Sequence, residues 1–186
     1  ANNYMADDFT LDSDAGLSSV DFYVYQTGAT STSITGVYVQ IYDGEPGAGG
    51  DVIWGDLTTN VLLNVDFLNG YRQLESLPGD TSRRIQKVTA DLNGLELEAG
   101  TYWIEVSFNG TGASGPWAPP ITITGLTTTG NAKQYTGSTG TYAPAIDGGI
   151  STPQGLPFQI YGEELDLEEC TGTPDALDKA LAKRTD

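Results

Sequence analysis

The side chains able to do chemistry in this 186-residue chain are carboxylates and aromatics. It has 25 Asp and Glu against 8 Lys and Arg, a formal charge of −17, no His and one Cys. Without His, a Ser-His-Asp or Cys-His system, a His general base and a His-ligated zinc are excluded within the chain. One thiol closes no internal disulfide and builds no multi-thiolate metal site. Cys170 also sits in an acidic stretch that opposes a reactive thiolate.

The acids point first to calcium. Asp7, Asp8, Asp12, Asp14 and Asp43, with Asp51 and Asp147, lie in or beside stretches that read as loops. Ca²⁺ collects carboxylate and carbonyl oxygens from such loops. Asp12-Ser13-Asp14-Ala15-Gly16 starts like an EF-hand loop, but Tyr23 stands where the bidentate Glu belongs. The metal expectation is therefore a non-EF Ca²⁺ site using Asp7, Asp8, Asp12, Asp14 and Asp43. The competing reading is solvated acid that keeps the protein soluble. A glycosidase needs two carboxylates at a set separation, which sequence spacing does not give. A single small sandwich rarely frames a deep cleft, so the chain is read as non-enzymatic.

The charge also selects partners. Phosphate backbones and anionic membrane surfaces attract Lys and Arg clusters, which are scarce here, so nucleic acid is not an expected partner. No stretch approaches 18 apolar residues, so membrane insertion is not expected either. An acidic, Thr- and Gly-rich, Lys-poor chain suits an extracellular or cell-surface protein. It opens at Ala1 rather than Met, which reads as a mature or excised fragment. Asn109-Gly110-Thr111 is a sequon compatible with a surface turn.

Strands must position these groups. Residues 17–26 alternate, with Val20, Phe22 and Val24 opposed to Asp21, Tyr23 and Tyr25. Residues 34–43 repeat this with Val37, Val39 and Ile41 against Tyr38, Gln40 and Tyr42. The polar connection 27–33 is too long for a two-residue hairpin. Further strands are expected at 61–67, 83–92, 101–108, 121–124 and 156–161, with turns at Asn69-Gly70 and Asn93-Gly94. Frequent strands without helical patterns between them predict an all-β, antiparallel, jelly-roll-like sandwich over 1–162. Residues 163–186 read as an acidic tail or linker with a short helix near 175–184.

If the strands around 20–25 and 37–42 share a sheet, burial of their Val/Ile/Phe faces turns Tyr23, Tyr25, Tyr38 and Tyr42 outward together. Such a face is either a set of stabilising aromatic pairs, some under a covering loop, or a contact surface for sugar rings or a protein. Trp54 follows a Gly-rich loop, and Trp117 lies in Ser114-Gly115-Pro116-Trp117-Ala118-Pro119-Pro120. Each is a loop plug or a ligand platform. Trp103 either covers an outer sheet surface or is exposed. The candidate ligand residues are Tyr23, Tyr25, Tyr38, Tyr42, Trp54 and Trp117.

Several strings occur together: Asp7-Asp8-Phe9, Phe22-Tyr23-Val24-Tyr25-Gln26-Thr27-Gly28, Val37-Tyr38-Val39-Gln40-Ile41-Tyr42-Asp43-Gly44, Gly100-Thr101-Tyr102-Trp103, Gly115-Pro116-Trp117-Ala118-Pro119-Pro120 and Pro157-Phe158-Gln159-Ile160-Tyr161-Gly162. Over residues 5–162 the chain resembles a β-sandwich accessory module of large secreted and cell-surface proteins of Bacteroidetes-type bacteria. Cys170-Thr171-Gly172-Thr173-Pro174 resembles the opening of a following immunoglobulin-like repeat, whose partner Cys is absent here. The resemblance implies the sandwich fold but no ligand and no catalytic residue. The leading expectation is a non-catalytic extracellular module for adhesion or assembly at the bacterial surface. The alternatives are a carbohydrate-binding module, with or without Ca²⁺, and a filament subunit that self-associates by strand donation from residues 1–11 or 163–186.

Overall fold

Val20, Phe22 and Val24 expose none of their surface, and the same holds for Val37, Ile41, Val88, Ala90, Leu92 and Ile104. The period-2 faces that carry them meet in one core in a computed structural model that describes residues 3–74 and 76–165. The strands are β1 (Asn3–Leu11), β2 (Ala15–Val24), β3 (Ile34–Tyr42), β4 (Val52–Asp56), β5 (Leu62–Tyr71), β6 (Arg84–Leu97), β7 (Gly100–Gly110), β8 (Lys133–Thr136), β9 (Thr141–Pro144) and β10 (Phe158–Glu164). They form a six-stranded sheet in the order β4-β3-β7-β1-β8-β9 and a four-stranded sheet in the order β10-β2-β6-β5. Every strand pair is antiparallel. The protein is an all-β sandwich, and among the described residues there is no helix long and apolar enough to cross a membrane.

The residues after β2 carry the chain from one sheet to the other. Thus β2 belongs to the smaller sheet and β3 to the larger. Phe22 on β2 reaches across the interior, edge-on to Phe108 of β7 at 5.6 Å between ring centroids, and lies 6.3 Å from Phe158 of β10. Such aromatic pairs are worth about 0.5–1.5 kcal/mol beyond their burial.

Four strands, β1, β4, β8 and β9, arise where alternation gave no signal. Residues 121–124 are not a strand; they run as loop beyond Pro119-Pro120, whose missing N–H groups cannot enter a ladder. Asn93-Gly94 does not end its strand. Both residues take positive φ (52° and 66°), and β6 continues past them with a register shift against Leu17 and Ser19 of β2. They form an irregularity inside a long strand rather than a hairpin turn. Asn69-Gly70 likewise falls inside β5, beside another register shift.

The sandwich runs further than 162. Glu163 and Glu164 complete β10 opposite Gly16 and Ala15, and the Leu165 amide donates to the Asp14 carbonyl at 2.8 Å. The expected helix at 175–184 and Cys170 lie outside the described residues. β1 is not a free donor arm: it lies inside the larger sheet, with Met5 opposite both Val106 of β7 and Gln134 of β8.

Candidate ligand-binding site at the Trp117 loop

The tyrosines do not form one platform. Alternation correctly gave the face of each strand, but β2 and β3 lie in opposite sheets, so their outer faces look away from each other. Tyr23 is on the outside of the smaller sheet, whereas Tyr38 and Tyr42 are on the outside of the larger one. Tyr38 accepts a hydrogen bond from the Asn109 side-chain amide at 2.8 Å. Trp54 is half-buried opposite Ile41 and packs on the main core, so it is a plug.

Tyr42 is only 9% exposed and forms a small second core with Ala6 and Trp103 on the outer face of the larger sheet. Residues 43–51 reach the neighbouring strands β8 and β9. Gly47 lies against the Tyr142 ring, where a Cβ would come within 2.6 Å, and Lys133 Nζ pairs with Glu45 Oε1 at 2.9 Å. The loop is itself tight: a Cβ on Gly50 would collide with the Gly44 carbonyl.

The same face holds Glu105, 1% exposed. The Tyr42 hydroxyl donates to its Oε2 at 2.8 Å and the Tyr142 hydroxyl to its Oε1 at 2.6 Å. Burial pushes the Glu105 carboxyl above its ordinary value, against the pull of the two phenols. Burial, then the Glu105 charge, pushes the Tyr42 phenol up to about 12. With so little surface exposed, this carboxylate is closed to substrate.

Asp7, Asp14 and Asp43 act as acceptors for backbone amides. Asp7 points inward and accepts from the Asp8 amide at 3.1 Å and the Leu156 amide at 2.8 Å. Asp8 points to the opposite face of β1. Asp14 accepts from Ala99 at 2.8 Å, and Asp43 closes its loop by accepting from Asp51 at 2.7 Å. Asp12 is exposed in the turn after β1. Among the described residues no three His, Cys, Asp or Glu side chains gather as a metal site. Asp7, Asp8, Asp12, Asp14 and Asp43 are therefore not brought together to hold calcium.

Trp117 is different. Its loop is pinned to the chain just beyond β2 by two backbone bonds: the Tyr25 amide donates to Trp117 O at 2.9 Å, and the Trp117 amide donates to Tyr25 O at 3.0 Å. The buried Gln26 side chain staples the same loop, donating to Ser114 O and accepting from the Gly112 amide, each at 3.1 Å. Yet the Trp117 side chain is 48% exposed. A hollow of 370 Å³ on one side includes Tyr25, Arg72, Pro119, Asp147 and Gln154 in its lining. A second of 280 Å³ includes Asn3, Tyr4, Ser107 and Pro116. Met5, Trp117, Ala118 and Gln134 line both. Arg72 and Asp147 face each other at 4.0 Å, a loose pair, and among the described residues no other side chain takes the guanidinium donors.

An indole held rigidly beside amides, a guanidinium and a carboxylate offers two kinds of contact. The ring presents a flat apolar area, and the polar groups fix the orientation of whatever lies on it. Tyr25 and Trp117 are thus the two sequence candidates that meet. Arg72, Gln134 and Gln154 were missed, because only the fold brings them to the loop. No protein family model matches the chain, and neither a curated protein nor a solved structure does.

Proposed function

We propose that the protein is a non-catalytic extracellular β-sandwich module of adhesive kind, and that it makes contact with glycans through the Trp117 loop. The observation that carries this reading is an exposed indole held by backbone bonds on a rigid sandwich, with an amphipathic hollow on each side. Sugar rings have an apolar C–H face for the indole and hydroxyl groups for Arg72, Asp147 and the amides. The acidic composition and the resemblance to secreted bacterial modules support the extracellular placement.

A glycan array tests the proposal. Neutral glycans are expected to bind with and without Ca²⁺. Trp117→Ala should weaken binding by roughly 30-fold, the loss typical of a central aromatic anchor. Tyr23→Ala, at a residue that lines neither hollow, should leave binding unchanged. Absence of any glycan signal at high protein concentration would overturn the assignment.

A further inference from the structure

The two sheets are unequal, six strands facing four, so the inner face of the larger sheet is wider than its cover. Residues 145–157 make up part of the difference, burying Ala145 and Leu156 in the core as far as the Leu156–Asp7 hydrogen bond. Past Asp7 this cover stops. Phe9 and Leu11 of β1 remain half-buried, and across from them Phe158 and Ile160 of β10 are half-buried too. Between them runs a groove of 460 Å³.

The groove lies along a strand edge. Among the described residues β10 is the last strand of the smaller sheet and pairs only with β2. No described strand pairs with its other side, and its sequence, Phe158-Gln159-Ile160-Tyr161-Gly162-Glu163-Glu164, contains no Pro or Lys to blunt pairing. β8 also stops at Ala6 of β1, so among the described residues β1 has no neighbour strand on that side beyond this point. The charge around the groove has one sign. Asp12, Glu163 and Glu164 line it, all exposed, and none pairs with a described basic side chain. A second copy of a chain carrying −17 would bring more negative charge to this rim.

We propose that this groove accepts an extended basic segment of a partner protein. The segment adds to the free edge of β10 as a fifth strand of the smaller sheet. Alternate apolar side chains fill the space over Phe9, Leu11 and Phe158, and Lys or Arg residues meet Asp12, Glu163 and Glu164. Main-chain hydrogen bonds give such a complex its geometry, while the apolar pocket and the rim charges select the sequence.

The test uses the full chain and a synthetic nine-residue peptide alternating Val with Lys, followed by fluorescence anisotropy. Binding is expected to weaken with added salt, because the rim charges are exposed. An analogue N-methylated along one backbone edge should bind at least 10-fold more weakly, since it cannot pair with β10. The Glu163→Lys/Glu164→Lys double variant should also lose at least 10-fold with an unchanged melting temperature. Equal binding of the N-methylated analogue would reduce the interaction to charge alone and overturn the proposal. So would absence of binding at millimolar peptide, or self-association of the protein that the double variant abolishes, since the occupant would then be a second copy.

Discussion

Phe22→Ala is expected to lower unfolding free energy by about 3–5 kcal/mol, the usual cost of deleting a buried aromatic. Phe22 exposes none of its surface and is the meeting point of both layers. On its own sheet it stands opposite Val88 of β6 and Phe158 of β10, and across the core it touches Phe108. Truncation removes two aromatic partners at once and leaves a hole that β-strands, locked by hydrogen bonds on both sides, cannot collapse to fill. For a chain of this size each kcal/mol moves the melting temperature by roughly 2–4 °C, so a fall of about 10 °C is expected by calorimetry. Phe22→Leu, which keeps most of the volume, should cost about a third as much. A loss below about 1 kcal/mol for the alanine variant would contradict the central position of Phe22.

Glu105 gives the second large effect, and one part of it depends on pH. Glu105→Ala leaves the Tyr42 and Tyr142 hydroxyls without their acceptor and opens a cavity, for an expected loss of about 3 kcal/mol. Glu105→Gln keeps the shape and an acceptor oxygen but removes the buried charge. The carboxyl is raised in the folded state above its ordinary value of 4.5. A raised group contributes stability that is present in full below its unfolded value and is lost as pH rises through the folded one. Wild type and Glu105→Gln should therefore be equally stable in acid, and the variant should be more stable by about 1 kcal/mol at neutral pH.

Asp21 works in the opposite direction. Burial opposes its charge, but donors from Thr89, Lys87 and Tyr161 hold its carboxyl below the ordinary value of 3.8. Its stabilising effect is present above that value and is lost as pH falls through the lowered one. Urea denaturation of wild type, Glu105→Gln and Asp21→Asn from about pH 3 to about pH 8 separates the two. If the gap between Glu105→Gln and wild type does not widen as pH rises, the buried charge assigned to Glu105 is wrong.

The pattern of Val20, Phe22 and Val24, and that of Val37, Val39 and Ile41, made β2 and β3 legible, because a strand with one buried face alternates. β1 was not legible. Asn3-Tyr4-Met5-Ala6-Asp7-Asp8-Phe9-Thr10-Leu11 lies inside a sheet, but its Tyr and Asp residues are accommodated by Tyr135, Leu156 and β7, all distant in sequence. β8 and β9 have four residues each, too few to establish a period.

The candidate site shows the same division. Trp117 was conspicuous as an aromatic among prolines, and its loop position held. The shared tyrosine face did not, because alternation reveals a side chain's face but not its sheet. Arg72 and Asp147 are brought together from two separate loops, and nothing in either neighbourhood marks the other. The acids were numerous enough to suggest calcium, but most of those suggested are spent on nearby backbone amides, a use that sequence alone does not distinguish from coordination.

Asp7 has a consequence for how the protein is made. Its carboxylate bonds the Leu156 amide, 149 positions later in the chain. At translation speeds of about 5–20 residues per second, Asp7 is made roughly 7–30 s before that partner exists. In the meantime β1 also awaits β7 and β8, so its edges and its carboxylate stay in water. Such distant pairing places the fold among slow folders, and the sandwich cannot close before residues 156–164 have been made.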